Sequence, residues 1–574
     1  MERKSYITKW TFAHYLFASI VTMAVINING MLDGIVMGRV IGPNGLSAIN
    51  VCMPVISGIN AISILLTNGV VNIMAKALGA GKQDTVNEEF SVCIVSLIVC
   101  GILAGVISYG IKSPLAMSLS VDTSLLNYVE DYSGVLINFS VILILQNSLS
   151  MIVDVFGHPR VVTFSMTMSV VVNLFCDILY AYVWGMGIKG AAYATITGAI
   201  VSIAIFVIFL VKKMDKLHFV INAKTFFAVL GQNVLKGIPG VIGTLSTALM
   251  MLVCNSLIQK ALGADGMFVM SICYVFISLG TMIASGVGMA YTGIGGMLVG
   301  EKDYMGLKIL YKKGRVVVLG VVVLVAIILT VFPGPLATLF GSITQSQVDL
   351  AKSCLPMCIG MVFPMCFVTI LSAIYQILER YAAATIDSVM MLISVILSFI
   401  VSYILWPGSI FVAMIIAGIM IIFSQLVICF IIKRTTEEKV DFLSLIPEAS
   451  GDAMCVSVKC ALEAVGEELE VVKKYLDNHG LTEYTDRAIH SIEEISCGIV
   501  CRAVKGAEHY FDLVISKDSR EMVVVIKDNG PKFDPMDINN VSMDITIAKH
   551  YCDSMDYSFQ FGLNILTMKW NLHK

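Results

Sequence analysis

Apolar segments of bilayer-spanning length recur through the first three quarters of this chain, and they decide what it can fold into. In hydrocarbon no water serves the backbone N–H and C=O groups, so only helices and closed barrels cross it. A helix needs about 20 apolar residues to do so. Runs of that length fall at about 14–38, 50–78, 90–112, 132–153, 162–184 and 190–212. A second set follows at about 230–260, 267–298, 314–334, 354–377, 383–405 and 409–433. The expected fold is an all-α polytopic membrane protein of about twelve transmembrane helices in two six-helix lobes, about 1–215 and about 225–435. A linker at 436–455 and a C-terminal α/β-sandwich domain at 456–574 complete it.

The basic start, MERKSYITKW, leads into an apolar run that reaches about residue 36 without a small-residue cleavage signal. It is expected to be a first transmembrane helix rather than a signal peptide. With 57% hydrophobic and 14% charged residues the bulk of the chain is membrane protein. The net charge of -3 says nothing about nucleic acid, and with no basic tract to argue for one, no nucleic-acid partner is expected. The 15 cysteines show no CxxC or Cys/His spacing, which excludes a disulfide framework and a metal cluster.

Loop charge sets the orientation. Lys4, Lys9, Lys76, Lys82, Arg160, Lys212, Lys213, Lys302, Lys308, Arg380, Lys433 and Arg434 fall on one side, and scattered cations such as Arg39, Lys112, Lys189, Lys260 and Lys352 on the other. Both termini are therefore expected in the cytoplasm, with the protein in the plasma (inner) membrane of a bacterium. The halves also repeat. GPNGL at 42–46 returns as GADGM at 263–267, and GKQD at 81–84 as GEKD at 300–303, in nearly one register. Parallel repeats imply an axis along the membrane normal and a cavity between the halves, an arrangement suited to alternating access.

Residues 170–195, VVVNLFCDILYAYVWGMGIKGAAYAT, carry Asn173 and Asp177 one helical turn apart. An ionised carboxylate at bilayer depth costs at least about 2.5–3.5 kcal/mol, so it needs a partner, a proton or a cation. One reading is a polar pair that packs helices together; the other is an ion-coupling site. Asp33 lies at similar depth in the first helix, and Thr195 offers a hydroxyl from the sixth. Two carboxylates, an amide oxygen and a hydroxyl make a hard-oxygen site for Na⁺ or a shared proton. Asp154 and Asp387 are expected at the membrane interface. The second half has no equivalent carboxylate set, so coupling should be asymmetric.

LDGIVMGRVIGPNGLSA, NIMAKALGAGKQD, and NxxxD followed by GMGIKGAAYATI resemble the multidrug and toxic compound extrusion (MATE) family over about residues 10–435, and YQILER at 375–380 resembles that family's tenth-helix ending. The resemblance implies a cation site formed by Asp33, Asn173, Asp177 and Thr195. Two departures stand out. Asp154 takes the place of an Arg found in many members, and the carboxylates that one branch carries in helices 7 and 10 are absent, Asn255 and Gln259 being the nearest polar residues in helix 7.

The tail resembles the anti-sigma-factor branch of the histidine-kinase-type ATPase fold, through IEEISCGIV at 492–500, IKDNGPKFDP at 526–535 and the closing MDITIAKHYCDSMDYSFQFGLNILTMKW. The resemblance implies nucleotide binding through Glu494, Asp528 and Gly530. Gly498 replaces a metal-binding Asn, however. Val541, Ser542 and Asp544 replace phosphate-loop glycines, where a Cβ and a negative charge oppose phosphate. A degenerate domain kept for protein contacts is expected, without kinase activity and with no cofactor, weak nucleotide sensing by the tail being the alternative. The function these readings point to is a Na⁺- or H⁺-coupled antiporter that exports small organic compounds, cationic or drug-like ones among them. Its partners would be the lipid bilayer, the substrate and a cytoplasmic regulatory protein. The alternative is a membrane sensor whose transporter-like module controls the tail.

Overall fold

A computed structural model describes residues 6–40, 43–119, 126–213, 217–340, 344–436, 439–448, 453–502, 509–517, 520–535 and 543–572. The first half comprises α1 (Tyr6–Val40), α2 (Pro43–Gly79), α3 (Gln83–Leu119), α4 (Leu126–Asn138), α5 (Ser140–Val155), α6 (Pro159–Cys176) and α7 (Ile188–Lys213). The second comprises α8 (Phe226–Ala290), α9 (Gly296–Gly300), α10 (Tyr304–Val331), α11 (Pro333–Leu339), α12 (Gln345–Cys354), α13 (Ile359–Ile377), α14 (Tyr381–Leu405) and α15 (Val412–Thr435).

Among the described residues ten helices are long and apolar enough to cross a membrane, or eleven when α4 and α5, bent by 58°, count as one. Twelve were expected. The difference falls at Phe226–Gly300, a run of 75 residues. At about 1.5 Å per residue it would extend about 110 Å, more than three times the hydrocarbon core. It breaks at Gly263 (φ 60°, ψ −143°), the first residue of the repeated GADGM.

Two apolar cores follow the two halves. One gathers buried residues between Met37 and Leu210. The other gathers residues from Met250 to Ile446 and takes in Phe12, Tyr15 and Leu16 of α1. The repeat has one register. Gly81 and Lys302 occupy the same left-handed turn, with φ of 64° and 63°. Each donates to the carbonyl three residues back, and the next residue to the carbonyl five back. This pairs Gly81 with Lys302 and corrects the pairing of Gly81 with Gly300 read from GKQD and GEKD. The true counterpart of Gly300 is Gly79. These two glycines cross: a Cβ on Gly79 would lie 2.1 Å from the Met297 carbonyl oxygen, and one on Gly300 2.1 Å from that of Lys76. Met297 is the counterpart of Lys76 in the same register, so the contact is its own pseudo-twofold image. Only residues without a side chain let backbones approach this closely.

The tail comprises β1 (Ala453–Lys459), α16 (Leu462–Asn478), α17 (Thr482–Arg502), β2 (Tyr510–Lys517), β3 (Glu521–Asp528), α18 (Met543–Tyr551), β4 (Ser554–Gln560) and β5 (Leu563–Asn571). Its five strands form one antiparallel sheet in the order β1-β2-β3-β5-β4. Leu513, Ile515, Val524, Ile526, Leu566 and Met568 point to the helix side. The alternate residues Val514, Val525, Leu563 and Ile565, with Phe561, join the core of the second half. Burial on both faces is why β2 and β3 read as unbroken apolar runs instead of alternating. The expected sandwich is thus one helix layer on one sheet, whose other face the membrane part covers. The linker is also more ordered than its charged composition suggested. Val440, Leu445 and Ile446 are buried, and the Tyr375 hydroxyl donates to the Leu443 carbonyl at 2.9 Å.

Candidate ion-coupling site

The polar residues singled out in the first half meet in one place. Asp33 comes from α1, Asn173 from α6 and Thr195 from α7, while Asp177 opens a π-helical segment, Asp177–Val183, that ends α6. In that segment the Trp184 N–H reaches back five residues to the Leu179 carbonyl. Such single-turn bulges are common at functional sites because they re-aim side chains within a helix. Asp33, Asn173 and Asp177 are 5%, 1% and 0% exposed, so bulk water does not serve them.

The Thr195 hydroxyl lies 3.4 Å from Asp33 Oδ2 and 3.1 Å from the Ala191 carbonyl. In the amide orientation that satisfies both ends, Asn173 donates to Asp33 Oδ1 at 2.9 Å and to Asn29 Oδ1 at 3.2 Å. It then accepts from the Thr195 N–H at 3.1 Å. Asp177 lies against Asp33, close enough for one proton to bridge the two carboxyls, and among the described residues no other N–H or O–H reaches either of its carboxylate oxygens. A pair retained to glue helices together would be satisfied. Two neighbouring carboxyls, one of them without donors, fit a group that carries positive charge to them, a proton or a hard cation. Asp33, Asp177, Asn173 and Thr195 would hold it.

Close packing of α7 on α6 fixes this geometry. A Cβ on Gly198 would stand 2.5 Å from the Ser169 carbonyl oxygen and 3.1 Å from the Asn173 Cβ. Two neighbours escaped sequence reasoning. Asn29 is one turn before Asp33, a spacing that could have flagged it. Tyr132 of α4 is buried with its hydroxyl toward Thr195 and both carboxyls; no motif marks it.

Asp154 and Asp387, expected at the membrane interface, lie at the end of α5 and two turns into α14 and are 3% and 2% exposed. Helix packing encloses both, and each retains an oxygen without a partner among the described residues. Neither joins the Asp33 cluster. Asn255, in α8, accepts from the Tyr274 hydroxyl at 3.0 Å. In the tail, Glu494, Gly498, Arg502, Asp528, Phe533 and Asn564 line a narrow cleft of about 30 Å³. The structure therefore brings Glu494 and Asp528 together, but the cleft is self-satisfied. Asp528 Oδ1 accepts from the Gly530 N–H at 2.8 Å and from Asn564 at 3.0 Å. The Arg502 guanidinium lies 3.9 Å over the Phe533 ring. Burial pushes the Asp528 carboxyl up, and these hydrogen bonds only partly reverse it. Val541 and Ser542, and the Asp544 side chain, lie outside the described residues. All fifteen cysteines are free, and no His/Cys/Asp/Glu cluster able to hold a metal occurs among the described residues.

Comparison with known proteins agrees with this scaffold. The Multidrug export protein MepA of Staphylococcus haemolyticus is 25% identical over 213 residues, 37% of this chain and 47% of that protein. The chain thus spans about half the length of the curated relative it matches. An outward-facing multidrug resistance MATE transporter of the MOP superfamily superposes with TM-score 0.68 at 20% identity, over 74% of this chain and 96% of that one. A MOP superfamily transporter from Pyrococcus furiosus gives 0.64 at 21% identity, over 75% and 97%. The Vibrio cholerae MATE transporter VcmN in its bent form gives 0.66 at 18%, over 73% and 95%. At such identities the likeness is one of fold. The MatE family model matches residues 18–179 and 239–404, one stretch in each half and more than half of the chain together. The tail lies beyond those residues, and its resemblance to anti-sigma-type domains rests on its own sequence. The chain belongs to the MatE family, whose members are multi-pass secondary transporters rather than enzymes.

Proposed function

We propose that the protein is a Na⁺- or H⁺-coupled antiporter that exports small organic compounds, with a regulatory cytoplasmic tail. The observation that carries this reading is Asp177: a fully buried carboxylate beside Asp33, without a hydrogen-bond donor among the described residues. Cation or proton entry there would favour one arrangement of the first half, and binding energy would move the equilibrium between two states of the carrier. Phe226–Gly300 reads as two spans hinged at Gly263, which brings the total to twelve.

The contacts between the halves support this reading. On the side that carries the tail, Lys76 pairs with Glu379 at 3.0 Å and Asn68 donates to Gln376 at 2.7 Å. Together with the Gly79–Gly300 crossing, these are the contacts that an outward-facing carrier closes on its inner side. The tail docks on turns of the Lys/Arg-rich side, which supports a cytoplasmic tail and the plasma membrane. The self-satisfied Asp528 cleft favours a tail that makes protein contacts over one that turns over ATP.

The test is efflux from proteoliposomes under separately imposed Na⁺ and proton gradients, against a panel of organic cations. One gradient should drive efflux in the native protein and neither in Asp177→Asn. Gradient-driven efflux that survives Asp177→Asn would overturn the assignment of the coupling site.

A further inference from the structure

The tail does not hang from the membrane part; it lies across the seam between the two halves. Three contacts define its seat. Lys527 on β3 makes a salt bridge with Glu301 of the second half, both side chains 2% exposed or less. Lys569 on β5 donates to the Ala80 carbonyl of the first half at 3.4 Å. The turn between β4 and β5 enters the seam between them. Its Phe561 (φ 56°) packs on the Tyr15 ring, with centroids 5.6 Å apart. A Cβ on Gly157 would stand 2.5 Å from the Phe561 nitrogen, and one on Gly293 3.3 Å from its ring. Tyr15 and Gly157 precede the second half; Gly293 belongs to it.

The two lysine contacts have a particular placement. Ala80 follows Gly79 and Glu301 follows Gly300, the two glycines of the pseudo-twofold crossing. Strands β3 and β5 are direct neighbours, with Lys527 opposite Ile565 and Val523 opposite Lys569. Hydrogen-bonded strands lie about 4.8 Å apart and do not stretch. Burial disfavours the Lys527 ammonium, yet Glu301, with Asp303 and Asp512, more than offsets this and raises its pKa. Lys302 adds a bond from the same turn to the Lys517 carbonyl at 3.3 Å.

We propose that the outer face of the tail's sheet is a strap whose partner is this crossing, and that the tail must undock before the two halves can part on that side. The proposal rests on the alternating-access reading above. Opening would carry residues 80–81 away from 301–302, and two adjacent strands cannot follow both. Undocking would leave Lys527, Glu301 and an apolar sheet face uncovered, so a competing partner or ligand of the tail would have to supply that energy.

The test uses the full chain in detergent or nanodiscs and hydrogen exchange read by mass spectrometry. Glu301→Lys and Lys527→Glu each place like charges in the buried contact. Each should speed amide exchange roughly 100-fold in residues 78–82, 299–303 and 559–564 together. The double exchange Glu301→Lys with Lys527→Glu should restore the slow exchange, which a general folding defect would not do. Gly157→Ala, which meets the Phe561 backbone, should loosen the same three segments. Unchanged exchange in the single variants would overturn the strap. So would faster exchange confined to 559–564, since the tail would then leave without freeing the crossing. If all three segments loosen but no gradient drives efflux, the strap stands and the transport reading falls.

Discussion

The two halves of the membrane part share one backbone plan and differ in what they bury. After α5 the chain turns through Gly157 (φ 82°) into α6, and after α13 through Glu379 (φ 59°) into α14. In both turns the same two hydrogen bonds close, three and five residues back. Pairing Gly157 with Glu379 sets Val395 against Asn173 and Phe399 against Asp177. Val395 and Phe399 are fully buried. Where the first half buries an amide and a carboxylate, the second has ordinary apolar core. Duplication thus supplied the scaffold twice, and the residues proposed for coupling stand in one copy. That asymmetry is what a carrier needs if one half responds to the ion.

The largest expected effect is at Asp177. Asp177→Asn should abolish gradient-driven efflux while the thermal midpoint stays level or rises, because a buried group without donors costs about 1–3 kcal/mol. A lower midpoint with coupling intact would make Asp177 a structural residue and end the contrast with Phe399. Phe399→Ala should show the opposite pattern. Loss of a buried ring costs about 3–5 kcal/mol, read by thermal unfolding, with coupling retained in the protein that stays folded. Gly198→Val is smaller and more local. Its side chain must push α7 from Ser169 and Asn173, at about 1–3 kcal/mol of overpacking, and apparent cation affinity should weaken when efflux is titrated against the driving ion.

The smallest effect separates the two turns by pH. His158 follows Gly157, and burial, with the Lys532 charge, lowers its pKa to about 4. The unfolded imidazole titrates near about 6.5, so it binds a proton that the folded one refuses. Stability is therefore full above about 6.5 and falls as pH drops toward about 4. Between pH 7 and 5.5 the loss should be about 1 kcal/mol. The counterpart of His158 is Arg380, which does not titrate in this range. His158→Gln should flatten the acid limb of the stability profile, whereas substitution at Arg380 should leave its shape alone.

Much of this was legible in the residues, for physical reasons. Bilayer length imposes helices on any run of about 20 apolar residues, so the span pattern followed from hydropathy. The break at Gly263 was legible too: the apolar runs at 230–260 and 267–298 stop on either side of GADGM, and its first glycine takes the non-helical backbone that separates them. Asp33, Asn173, Asp177 and Thr195 stood out because polar groups in an apolar run are costly wherever they sit. Tyr132 and Asn29 joined them only in three dimensions. The burial of Asp154 and Asp387 was not legible, because nearness to Arg160 or Arg380 along the chain says nothing about whether neighbouring helices cover the carboxyl.

By itself the sequence determined the spanning segments, the duplication and the four residues proposed for the coupling site. Each of these rests on local cost or spacing: the penalty of an exposed backbone or a charge in lipid, and a motif repeated at fixed distance. Tertiary structure alone decided the register of the repeat, the Gly79–Gly300 crossing and the seat of the tail. Those depend on backbones that meet from opposite halves of the chain. Lys527 makes the point. In the sequence it is one lysine in an apolar strand; in the fold it reaches Glu301 at the seam, because packing, not spacing, brings that strand there.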